Sequence, residues 1–327
     1  MREGSAYIRT DLAIESAQDF SRGGQSLEGV SVRERDVENG EIHITHVHIK
    51  DETGARKLQK PVGRYITLET PYLAKEDRSY HQEITSALME ELRHLIPDIN
   101  TKKILVVGIG NREITPDALG PMVVDHLFIT RHLVREYGEN SKVTRGLGTV
   151  SAIAPGVMAQ TGMEGREVIC GIIHETHPDV AIIIDALAAR SVSRLNTTIQ
   201  LTDAGISPGS GVGNHRHGLN RESLGIPVVA IGIPTVIDAA TIVNDTMNSL
   251  MEALEQRGVY QDVYDAVRSF DHQEKYLLMR ELMAPEVANM FVTPKDIDET
   301  IGRISYTISE AINSICHPIE GDISCPS

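Results

Sequence analysis

Two unbroken apolar runs constrain this chain most. Ile104-Leu105-Val106-Val107 is closed by Gly108, and Val180-Ala181-Ile182-Ile183-Ile184 is closed by Asp185. A strand with one wet face alternates apolar and polar residues. Short continuous runs therefore belong to strands covered on both faces, as in a parallel sheet between helices. Helical spacing surrounds them. Ile84, Ala87, Leu88, Leu92 and Leu95 share one face of a helix expected over 73–96, which Pro97 ends. Further helices are expected over 119–134, 163–176, 239–254, 273–282 and 295–315, with strands over 150–154, 197–201 and 228–233. Alternation of this kind gives a layered α/β sheet with right-handed crossovers.

The beginning of the chain differs. Residues 1–28 are polar and without period, an N-terminal arm. GVSVRERDV, EIHITHVHIK and RYITLE are alternating, β-branched runs. Asn39-Gly40 between the first two is a strong hairpin signal, and Thr53-Gly54 marks a second turn. Residues 29–70 thus read as a small antiparallel β region, 71–316 as the α/β domain, and 317–327 as a disordered tail.

Lys and Arg number 31 against 46 Asp and Glu, a formal charge of -15. Such a surface argues against direct nucleic-acid binding and against anionic membranes. There is no secretory hydrophobic segment and no apolar run long enough to span a bilayer, so a soluble cytoplasmic protein is expected. Cys170, Cys316 and Cys325 are odd in number and widely spaced, neither a disulfide framework nor a CxxC clip, and Cys170 reads as a buried thiol.

In open α/β sheets, ligands bind beyond the carboxyl ends of the strands. Two loops stand there: Gly108 to Pro121, and Asp185 to Arg190. The GxG at Gly108 and Gly110 lacks the third glycine and the later acid of a dinucleotide site. Asp117, before a helix, suits either an N-cap or a catalytic acid. Asp185, after five apolar residues, is costly unless hydrogen-bonded, paired or solvated in a cleft. Arg190 would neutralise it or contact substrate. If the two strands are neighbours, the two carboxylates converge and cannot both ionise easily. One keeps a proton and the other acts as a base, which is what activation of water and protonation of a leaving amine require. The glycine-rich loop 205–217 has no GK[ST], so it is not a P-loop, and Ser210 lacks the setting of a nucleophile elbow. His215 and His217 are possible metal ligands, though loop histidines are more often solvated. Asn111, Arg190, Ser210 and Thr235 are the candidate cleft residues.

These motifs resemble the spore germination protease family: GIGN followed by TPDALGP, then SAIAPGVM at 151–158, IDALAAR at 184–190, GISPGSGVGN at 205–214 and GIPTV at 232–236, with YIRTDLAIE at the start. The resemblance runs from Arg9 to roughly residue 315. It implies a three-layer α/β/α sheet of the hydrogenase-maturation-endopeptidase or phosphorylase/hydrolase-like type, with a small N-terminal β-hairpin subdomain. It implies a homotetrameric endopeptidase of the forespore and spore core, without cofactor, that degrades small acid-soluble spore proteins during germination. The catalytic pair maps onto Asp117 and Asp185. The resemblance also implies a zymogen. Family cleavage sites resemble Thr-Glu-(Phe or Ile)-Ala-Ser-Glu, cut after the first Glu. Thr10-Asp11-Leu12-Ala13-Ile14-Glu15 is similar, with Asp11 in place of Glu. Self-cleavage is thus expected between Asp11 and Leu12, removing 1–11. GIGN with a nearby acid is also similar to hydrogenase maturation endopeptidases, whose acidic positions ligate nickel. That leaves a metal-assisted alternative with the same two aspartates as ligands, although their histidine ligand has no counterpart here. A spore-protein binding module without catalysis is the third reading.

Overall fold

The computed structural model describes residue 12 and residues 28–37, 40–75, 78–139, 141–209, 217–256, 272–288 and 290–318. The strands are β1 (Val30–Val37), β2 (Ile42–Ile49), β3 (Gly63–Glu69), β4 (Lys103–Gly108), β5 (Thr149–Ile153), β6 (Val180–Ala189), β7 (Thr198–Thr202), β8 (Val228–Asp238) and β9 (Phe291–Val292). The helices begin with α1 (Glu52–Leu58), α2 (Arg78–Leu95), α3 (Leu119–Asp125), α4 (Arg131–Tyr137), α5 (Met158–Thr161) and α6 (Gly165–Thr176). They continue with α7 (Arg221–Leu224), α8 (Ala239–Gln256), α9 (His272–Leu282), α10 (Pro285–Ala288) and α11 (Ile297–Cys316).

Among the described residues the strands form one sheet in the order β1-β2-β3-β7-β8-β6-β4-β5, with β9 beside β8. The continuous apolar runs sit where their composition demands. β4 and β6 pair in parallel at the centre, flanked by β5 and β8, also parallel. Even-numbered residues of β4 and β6, such as Ile104, Val106, Ile182 and Ile184, face Leu88 and Leu92 of α2, Leu119 of α3, and Ile304 and Ile308 of α11. Odd-numbered residues, such as Leu105, Val107, Ala181 and Ile183, face Ile169 of α6 and Leu224 of α7. Each fully buried Leu or Ile here contributes about 1.5–3 kcal/mol. Helices on both faces make the expected three-layer α/β/α sandwich.

The antiparallel β1, β2 and β3 keep a small core of their own, Val47, Ile49, Leu58 and Tyr65. They nevertheless extend the main sheet, because β3 pairs antiparallel with β7, and β7 with β8. At Thr53-Gly54 the structure has the short helix α1 rather than a simple turn. Its cap is Asp51, whose side chain accepts from the N–H groups of Thr53 and Gly54 at 2.9 Å each.

Two other expectations are corrected. The helix expected over 119–134 is two helices, because Thr130 is buried between them and tied to β5. Its hydroxyl donates to the Gly148 carbonyl at 2.6 Å and accepts from the Val150 N–H at 2.9 Å. β6 does not end at Asp185 but runs to Ala189, because β8 stays beside it as far as Ile237. The pairing is irregular once: Leu187 faces Pro234 and Ala188 faces Val236, so Thr235 is the extra residue of a β-bulge. The propeptide and most of the arm (1–11 and 13–27) and the tail from 319 lie outside the described residues. No helix among the described residues is long and apolar enough to cross a membrane.

Candidate active site

The strand lengths create the site. β4 stops at Gly108, while β6 and β8 continue past it. Gly108 and Gly120 bring the start of α3 hard against that strand end. A Cβ on Gly108 would lie 2.2 Å from the Gly120 carbonyl oxygen, and one on Gly120 would lie 2.4 Å from that of Ile109. Gly110 then turns with φ +125°, and a Cβ there would lie 1.9 Å from the Asp117 carbonyl oxygen and 3.3 Å from Asp117 Oδ1. Only glycine fits, on both counts. Asp117 is therefore packed directly on the backbone of Gly110.

Three further bonds fix its turn, Thr115–Asp117. Asp117 Oδ2 accepts the Asn111 backbone N–H at 2.7 Å. The hydroxyl of Thr235, placed by the bulge in β8, donates to the Pro116 carbonyl at 2.6 Å. Thr293 donates in turn to the Thr235 carbonyl at 2.9 Å. Asp117 precedes α3, whose N-cap is Ala118; its carboxylate is turned to the glycine loop.

Asp185 approaches from the other side of the same loop. Ile109 donates its N–H to the Ile184 carbonyl at 2.8 Å, which continues the β4–β6 register and sets Ile109, the residue before Gly110, level with Asp185. Adjacent strands lie about 4.8 Å apart. Asp185 is only 5% exposed and points away from Ile184, onto the face of α6 and α7. Asp117 reaches Gly110 from the side of α3. Because β4 has ended, no strand separates the two faces beyond this point. Both aspartates thus stand at the carboxyl end of the paired parallel strands, Asp117 on Gly110 and Asp185 level with Ile109.

The other candidates fall at different distances from this pair. Asn111 is part of it; besides its N–H, its side-chain oxygen accepts from the Glu113 N–H at 3.1 Å and the Gln160 amide at 3.2 Å. Thr235 is fully buried and acts on the Asp117 turn rather than lining an open surface. Arg190 follows β6, and its charge acts on Asp245 of α8. Burial pushes the Asp245 carboxyl up, while the Val192 N–H and Arg190 pull it down. His217 lies 2.9 Å from Glu164 and, with its own backbone N–H, holds that carboxyl below the ordinary range. Cys170 is half-buried, within 3.9 Å of Arg166 and of the Ser223 carbonyl. Ser210, His215 and Asp11 lie outside the described residues. Among the described residues, no group of three or more His, Cys, Asp or Glu side chains stands together in a metal-holding arrangement.

Sequence reasoning missed a polar row beside the pair. Asp185 is level with Gly232 on β8, Gly232 with Gln200 on β7, Gln200 with Thr67 on β3, and Thr67 with Thr45 on β2. All face away from the α2/α11 core. The hydroxyls of Thr45 and Thr67 are buried with no hydrogen-bond partner. The signal lay in single polar residues within apolar strands, legible only once the strand order was known. Leu187 was also missed. It lies two residues beyond Asp185 on the same face, and it packs on Leu12, which is fully buried.

The family model described as Germination protease matches residues 8–263. The chain belongs to the germination protease family. It is a peptidase, and the reaction to be explained is hydrolysis of an internal peptide bond. The germination protease of Caldanaerobacter subterraneus subsp. tengcongensis is 44% identical over 312 residues, covering 95% of this chain and 94% of that protein. That of Clostridium perfringens strain 13 is 41% identical over 313 residues, with 95% of each chain covered. That of Bacillus cereus strain AH187 is 38% identical, with 95% and 94% covered. Among solved structures, the [NiFe] hydrogenase maturation protease HycI of Thermococcus kodakarensis KOD1 covers 44% of this chain and 80% of its own, at a TM-score of 0.29 and 20% identity. That likeness is slight, and the fold rests on the sheet described above.

Proposed function

We propose that this germination protease is made as a zymogen, cuts itself between Asp11 and Leu12, and then cleaves small acid-soluble spore proteins in the spore core. In this reading it works as a homotetramer and activates water with the Asp117 and Asp185 carboxylates. What supports the reading is that both acids stand at the carboxyl end of β4 and β6, Asp117 on Gly110 and Asp185 level with the residue before it. A water over the end of β4 meets one acid from each side. One carboxylate takes its proton as it attacks the peptide carbonyl; the other, protonated, gives its proton to the leaving nitrogen. Leu12, packed on Leu187 two residues beyond Asp185, supports the cleavage position.

The test is substitution of each acid. Asp117→Asn and Asp185→Asn should each lower kcat/KM on a purified small acid-soluble protein by about 10²–10⁴-fold, with Tm preserved within a few degrees. Undiminished digestion by both variants would end the catalytic assignment. Mass spectrometry of the matured chain should find Leu12 as its first residue; another N-terminus refutes the position. Loss of activity on chelation, restored by a divalent metal, would replace the paired-acid mechanism by the metal-assisted one.

A further inference from the structure

We infer that Leu187 is the floor of the seat for the side chain that follows the scissile bond, and that it sets which residues the enzyme cleaves before. The inference rests on Asp117 and Asp185 being the peptidase pair. Leu12 is 0% exposed, and its buried apolar partner is Leu187, itself 7% exposed; the two form a contact separate from the three larger cores. Leu187 and Asp185 lie on one face of β6, on the near side of the bulge, so their Cα atoms are about 6.6 Å apart. The Leu187 side chain leans across β8 toward the row that Asp185 occupies. A Cβ on Gly232, the lateral partner of Asp185, would fall 2.4 Å from Leu187 Cδ1. Glycine at 232 is what lets Leu187 lie there. The residue seated on Leu187 is thus held within one side chain's reach of Asp185, and its own nitrogen belongs to the bond expected to break.

The seat selects by size and polarity. An apolar side chain loses its contact with water there at no polar cost, whereas a polar one gives up water for an apolar floor. A missing or extra methylene in such a pocket changes kcat/KM by about 10–200-fold. While Leu12 occupies the seat, no separate substrate can use it.

The experiment uses the matured enzyme, residues 12–327, whose freed N-terminus lets Leu12 leave the seat, and synthetic peptides with the sequence of residues 5–18, varied at position 12. Wild type should cleave the Leu peptide at least tenfold better than Ser or Lys peptides. Leu187→Ala should raise the ratio of Trp to Leu cleavage at least tenfold, and Leu187→Phe should raise the ratio of Ala to Leu likewise. A contact that only packs the arm would alter Tm and leave these ratios alone. Ratios within twofold of wild type in both variants would overturn the inference while leaving the peptidase assignment standing. Should the variants not fold, indifference of wild type to Leu, Ser and Lys overturns it equally. If neither aspartate proves necessary for cleavage of the Leu peptide, the underlying reading has failed and the inference with it.

Discussion

Replacing Gly110 by Ala tests whether the placement of Asp117 governs the reaction. Two costs can be separated. Holding a residue with a Cβ at φ +125° costs about 1–3 kcal/mol wherever it occurs. The second cost is local. A Cβ that would sit 1.9 Å from the Asp117 carbonyl oxygen has to be relieved to at least 3.0 Å, so the backbone of Asp117 moves by about 1.1 Å. Displacement of a catalytic group by about 1 Å costs about 10²-fold in rate. Gly138→Ala is the control, since it also has positive φ, +80°, and nothing within 4 Å of its Cβ. Both variants should lose a few degrees of Tm. Only Gly110→Ala should lose about a hundredfold in kcat/KM on a protein substrate, with most of the loss in kcat. If Gly110→Ala retains activity within threefold of Gly138→Ala, the position of Asp117 does not control catalysis.

Three further substitutions report on the surroundings. Thr235→Val removes the hydroxyl that holds Pro116 and takes its partner from a part-buried carbonyl, at about 1 kcal/mol; kcat should fall and KM should hold, whereas Thr235→Ser should restore both. Thr67→Val replaces a buried hydroxyl that has no partner and should stabilise the precursor by about 1 kcal/mol in urea unfolding, whereas a loss of stability would mean that the hydroxyl is bonded. Glu91 is fully buried; burial pushes its carboxyl up, but hydrogen bonds from His46, Arg35 and His94 outweigh that and hold it at about 2. Its folded value lies below the ordinary 4.5, so the stability it contributes, about 3 kcal/mol at 1.36 kcal/mol per unit, is present above pH 4.5 and lost as pH falls toward 2. Glu91→Gln should flatten that part of the stability–pH curve, and an unchanged slope would refute the assignment.

The legibility of the chain divides along physical lines. The central strands could be read because burial on both faces leaves a composition that nothing else explains, and Ile104–Val107 and Val180–Ile184 fell where expected. The helix α11 could be read from its stripe, which buries Ile301, Ile304, Ile308 and Ile312 together. Asp185 could be singled out because an acid closing a buried strand needs a reason, whereas Asp117, equally readable as an N-cap, is singled out by the family resemblance. The local sequence could not reveal where β6 ends. Val180–Ala189 keeps extending past Asp185 only because β8 lies beside it, and that pairing is a property of the whole sheet. The same holds for Thr235, whose role depends on a bulge between two strands distant in sequence.

The glycines show how far the two kinds of information overlap. The glycines of GIGN permit tight turning and close backbone approach, and the structure fixes each approach: Gly108 to Gly120, and Gly110 to Asp117. Gly232 does the same for Leu187. Each permits a side chain or backbone segment to occupy the space that its own Cβ would fill. Two of these approaches fix where Asp117 sits, and the third fixes where a substrate side chain would rest beside Asp185. The site is therefore shaped as much by side chains left out as by the two acids, and substitution at the glycines perturbs its geometry without touching its titratable groups.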